Sequence, residues 1–76
     1  MRIERCLRNH GEEIRFVITN HEQGWEVSEE RGTATVHDVV RDDWHRVECD
    51  LMLFDLRAAA LRQQGWIENT SGDQQN

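Results

Sequence analysis

The hydrophobic pattern of the chain changes period once, at Asp42-Asp43. Before that point apolar residues alternate with polar ones, the two-residue repeat of a strand with one buried face. After it they recur three and four apart, and the run from Trp44 to Gln64 contains no glycine or proline. That is the repeat of a helix built from good helix formers. The two halves together predict an α+β class: a three- or four-stranded antiparallel meander followed by one long C-terminal helix packed on the sheet.

Within the first half, Ile14, Phe16 and Ile18 mark the clearest strand. His21-Glu22-Gln23-Gly24 reads as a turn, after which Trp25 and Val27 alternate with Glu26 and Ser28. Arg31-Gly32 supplies the next turn, and a further strand rich in β-branched residues runs from Thr33 to about Val40. There Ala34 and Val36 are in phase for the core, and a bulge near Asp38 reconciles them with Val39 and Val40. The opening segment admits two readings. Ile3 and Leu7 fit a strand joined to the next through Asn9-His10-Gly11-Glu12, but they are also four apart, which suits a short helix.

The helix takes Asp42 or Asp43 as its N-cap and ends at Gly65. A Schellman ending at Gly65 puts Leu61 and Trp66 at the two positions that usually make an apolar contact. At about 100° per residue, Trp44, Val47, Leu51, Phe54, Ala58 and Leu61 form one stripe, expected to cover the sheet. A second apolar group, Cys49, Met52, Leu53, Leu56, Ala59 and Ala60, gathers on the opposite side. Two polar edges separate the stripes: Glu48, Asp55 and Arg62 on one, and Arg46, Asp50, Arg57 and Gln64 on the other.

A helix on one sheet needs one apolar stripe, so the second asks for another partner. Size points the same way, because a domain of 76 residues has a small core and commonly relies on disulfides, a metal or oligomerisation. The expected occupant is a second copy, since two-fold dimers bury one patch against itself. Cover by the N-terminal segment of the same chain, or by some other partner, are the alternatives.

Composition bears on the partner and the compartment. With 15 acidic residues against 9 basic ones, all arginine, the formal charge is −6, which repels a phosphate backbone. Cys6 and Cys49 are the only cysteines and are expected as free thiols. No apolar stretch of signal-peptide or membrane-spanning length occurs, so the expected location is the cytoplasm, with no membrane partner. The sequon Asn69-Thr70-Ser71 then reads as a chance match. Residues 1–67 are expected as a single domain, and the polar, aperiodic residues 68–76 as a disordered tail.

No constellation of catalytic residues emerges. His10, His21, His37 and His45 lack metal-site spacing, and no metal or other cofactor is expected. Cys49 stands between Glu48 and Asp50, whose charge disfavours a thiolate; Cys6, near Arg5 and Arg8, has the kinder setting but no assignable base. Asp42-Asp43 is explained by capping, and alternation puts His37 and Asp38 on opposite faces. The three tryptophans each open or close an element, where a large ring seals the edge of a small core.

Two functions follow as expectations. The first is a non-catalytic binding or adaptor protein, homodimeric through the helix face Cys49, Met52, Leu53, Leu56, Ala59 and Ala60. An unknown protein partner would meet the open sheet surface, with Arg15, Val17 and Trp25 as its ligand-facing residues. The second reading keeps nucleic acid as a disfavoured partner. A strand meander with a dimerising C-terminal helix resembles, in architecture and over about residues 1–66, the PC4-like and Whirly-type single-strand binders. That resemblance implies single-stranded nucleic-acid binding or a transcription-related role. The outward residues Arg2, Arg8 and Arg15 share their face with Glu4, Glu26 and Glu30, and only Trp25 is placed as a stacking ring.

Overall fold

A computed structural model describes residues 1–70. Five strands form one sheet and a single helix lies across it. The strands are β1 (Arg2–Asn9), β2 (Glu12–His21), β3 (Gly24–Arg31), β4 (Ala34–Arg41) and β5 (Ile67–Thr70); the helix, α1 (Trp44–Gln63), joins β4 to β5. The first four strands make an antiparallel meander, and β5 returns to pair antiparallel with β1, giving the order β4-β3-β2-β1-β5.

The opening segment is therefore a strand, and it sits inside the sheet between β2 and β5. It closes on β2 through His10 and Gly11, both at positive φ (51° and 83°), with Asn9 opposite Glu12. Two positive dihedrals in a two-residue loop match the twist of the flanking strands. The next turn needs glycine for another reason: a Cβ on Gly24, at φ 136°, would stand 2.2 Å from the Arg41 carbonyl oxygen.

Strand alternation sorts the side chains. Ile3, Arg5 and Leu7 of β1, Ile14, Phe16 and Ile18 of β2, and Trp25, Val27 and Glu29 of β3 share the face that receives the helix. Leu7, Ile14, Phe16, Ile18 and Val27 are buried there against Val47, Phe54 and Ala58 of α1. Leu51, Leu61 and Trp66 pack around them, so the inner stripe lies on the sheet. Phe54 stacks on Phe16 with ring centroids 4.5 Å apart.

Both helix ends follow from local chemistry. Asp43 is the N-cap, its side chain accepting from the His45 backbone N–H at 3.0 Å. At the other end the Trp66 N–H donates to the Leu61 carbonyl at 3.0 Å and the Gly65 N–H to the Arg62 carbonyl at 3.1 Å. These are the two bonds of the Schellman motif, with Gly65 at φ 102° as its left-handed residue.

Three expectations require correction. Glu68, Asn69 and Thr70, assigned to a disordered tail, form β5 opposite Leu7, Cys6 and Arg5. Backbone pairing and the Arg5–Glu68 ion pair, with bonds of 2.6 and 3.1 Å, hold a segment that has no apolar period of its own. The remainder of that expected tail, residues 71–76, lies outside the described residues. The bulge expected near Asp38 falls opposite Glu29/Glu30, at Val36, and the core placement expected of Ala34 and Val36 fails. Both are exposed, whereas Val39 packs on the core. Finally, Trp25 is not on the open sheet face. Its neighbours in phase are Val27 and, across the strand pair, Asn20, and its ring meets Trp44 edge-on at 5.0 Å on the helix side.

Candidate functional site

The inner stripe of α1 is spent on the sheet, and among the described residues nothing covers the outer stripe. Met52, Leu53 and Leu56 are 62%, 63% and 65% exposed, and Cys49, Ala59 and Ala60 are exposed beside them. The N-terminal segment cannot fold over this face, because it is held as β1 within the sheet. That removes cover by the N-terminal segment as an alternative.

Ion pairs tie both flanks of the helix to the sheet. Arg41 grips Asp50 at 3.0 and 3.1 Å, and Arg57 reaches Glu29 at 2.5 Å. On the other flank Arg5 bonds Asp55 and Glu68, and Arg62 also reaches Glu68 at 2.5 Å. The guanidinium carbons of Arg5 and Arg57 lie 5.0 and 5.6 Å from the centroid of the Phe54 ring. The favourable electrostatics of a cation over a ring thus reinforces the helix orientation that the core dictates. Because the helix is fixed on both sides, its outer stripe is a preformed surface.

Towards β4 this surface runs into a groove of about 340 Å³, floored by Phe16, Val27 and Phe54 and walled by Leu53 and Val36. Val36 is 54% exposed as a result of the bulge. The apolar patch thus extends from the helix to the edge strand.

The opposite face of the sheet is polar and heavily paired. Arg2, Glu4, Cys6 and Arg8 of β1 stand beside Glu13, Arg15, Val17 and Thr19 of β2, then Glu26, Ser28 and Glu30 of β3. Arg15 is surrounded by carboxylates: Glu13 at 2.9 Å, Glu4 at 3.3 Å and Glu30 at 3.6 Å. Val17 is buried on this side, 7% exposed, and offers little area to a ligand. Glu26 is pushed above the usual carboxylate range by a hydrogen bond and charge repulsion from Asp38, which records the acidic excess on the β3–β4 side.

Cys6 belongs to the same network. Its Sγ donates to a Glu13 carboxylate oxygen at 2.9 Å, and burial followed by that bond pushes the thiol up. The kinder setting inferred from Arg5 and Arg8 is therefore overturned: Arg5 turns to the helix side and Glu13 faces the sulfur. Glu13 in turn is held below the usual range by the Cys6 hydrogen bond and then by Arg15. The histidines are scattered. His10 sits in the first turn, His21 accepts from the Gln23 N–H at 3.1 Å, His37 lies on the edge strand, and His45 is near Glu48. Among the described residues no three His, Cys, Asp or Glu side chains converge as a metal site, and no helix is long and apolar enough to cross a membrane.

No protein-family model matches the chain, and neither a curated protein nor a solved structure is significantly similar to it.

Proposed function

We propose that the protein is a non-catalytic binding module that self-associates through the outer face of α1 and offers its open sheet face to a protein partner. The observation that carries this reading is the exposure of Met52, Leu53 and Leu56, each above three-fifths, on a helix whose other face already covers the core. Full burial of such a side chain contributes about 1.5–3 kcal/mol. Three from each of two copies offset a large part of the cost of association, about 4–15 kcal/mol. A dimer whose population depends on concentration is the expected result.

Charge supports a protein partner over single-stranded nucleic acid. The open face alternates arginine with glutamate, and Arg15 at its centre is engaged by three carboxylates. A strand of phosphates needs a continuous positive groove with stacking rings, and Trp25 is packed on the other side. A cytoplasmic setting remains part of the proposal.

The test is the native mass by light scattering across a range of concentrations. Mass rising towards twice that of the monomer supports the reading, and a strict monomer at every concentration overturns it.

A further inference from the structure

We infer that two copies join through α1 as an antiparallel helix pair in one register, with Cys49 facing the partner's Ala59 and Met52 facing the partner's Leu56. This rests on the self-association proposed above and adds the orientation, which follows from the spacing of the exposed residues and the charges beside them.

The outer face carries His45, Cys49, Met52, Leu56, Ala59 and Gln63, spaced alternately four and three and all exposed. That is the seam of a two-helix packing, in which residues of one helix fit between those of the other. Its middle is apolar and its two ends, His45 and Gln63, are polar. The small side chain of Ala59 lets the backbones approach at each end of the seam, opposite the larger Cys49 of the other copy.

The flanks decide between the two directions. Glu48, Asp55 and Arg62 line one side of the seam at intervals of seven residues, and Arg46, Leu53 and Ala60 line the other. In an antiparallel pair like flanks meet, so Glu48 faces the partner's Arg62 and Arg62 faces the partner's Glu48. Leu53 meets the partner's Leu53 over the mouth of the β4 groove, which extends the apolar contact. Asp55 meets its own copy at the centre, where each is already paired with the Arg5 of its own chain. In a parallel pair unlike flanks meet, which sets Glu48 and Asp55 against Leu53 and Ala60 and pairs no charges. Glu48 and Arg62 are 56% and 46% exposed, with Glu48 near His45 and Arg62 also bonded to Glu68 of its own chain.

The register also separates the native thiols. About ten residues lie between equivalent positions of Cys49 in the two copies, which is roughly 15 Å along the axis at 1.5 Å per residue. A disulfide needs Cα atoms about 4.4–6.8 Å apart.

The experiment oxidises wild type and Ala59→Cys with diamide, which takes up the two electrons and two protons released by each thiol pair. Covalent dimer is then read on a non-reducing gel, with light scattering of the unoxidised samples alongside. The antiparallel register predicts covalent dimer for Ala59→Cys only, linked between position 59 and Cys49 in peptide mass spectra. A wild type that is dimeric by scattering and crosslinks Cys49 to Cys49 overturns the register but leaves self-association standing. A dimeric Ala59→Cys protein with no crosslink does the same. If both proteins are monomeric, the self-association reading itself fails.

Discussion

Phe54 of the helix and Phe16 of the second strand stack 15° from parallel, with the guanidinium carbons of Arg5 and Arg57 5.0 and 5.6 Å from the centroid of the Phe54 ring. This contact links the core to the ion pairs that fix the helix, and so to the surface the helix presents. Phe54→Ala is expected to cost about 3–5 kcal/mol, the range for removing a buried aromatic ring. Urea unfolding checks it; a loss below about 1 kcal/mol would mean the stack is not central to the core.

Asp43 caps the helix through the His45 N–H. Asp43→Ala is expected to lower stability by about 1 kcal/mol, within the 0.5–2 kcal/mol measured for such caps. Asp42→Ala, next to it, serves as the control and is expected to change little. Equal losses in both would show that charge near the helix start, not the cap bond, is responsible.

A methyl group at Gly24 would collide with the Arg41 carbonyl oxygen. Gly24→Ala is expected to destabilise by about 2 kcal/mol, from the clash together with an unfavourable positive φ. A thermal melt unchanged from wild type would contradict the close approach of the β2–β3 turn to the end of β4.

Glu13 is held below its ordinary range by the Cys6 thiol and then by Arg15. A carboxylate depressed in the folded state contributes stability that is present above its unfolded value and is lost as pH falls through its folded value. Wild type is therefore expected to exceed Glu13→Gln in urea midpoint near neutrality, and the gap to close on acidification through that window. A gap independent of pH would show that the charge of Glu13 is not what matters.

How far these features can be read from the sequence depends on how local their causes are. The meander was legible because Ile14, Phe16 and Ile18 alternate over a buried face, and the helix ends because Asp43 and Gly65 act on neighbours a few residues away. The phase of Trp25 with Val27 and its place at a strand start both point to the core, where it packs on Trp44, and only its ligand-facing assignment fails. β5 left no signal, since Ile67-Glu68-Asn69-Thr70 is held by pairing with β1, more than fifty residues away in sequence. A similar separation hid the pairing of Arg5 with Asp55 and Glu68. The outer apolar residues of the helix were visible because they follow helical period, and the groove beside them was not, because the bulge that exposes Val36 arises between two strands.

The proposed dimer depends on the exposed stripe around Leu56. Sedimentation equilibrium of wild type beside Leu56→Arg, with circular dichroism to verify that both are folded, is the decisive measurement. A monomer–dimer equilibrium is expected for wild type and a folded monomer for Leu56→Arg, with Ala60→Glu behaving in the same way. A folded Leu56→Arg protein that dimerises as tightly as wild type would place the interface elsewhere and overturn the assignment of this face.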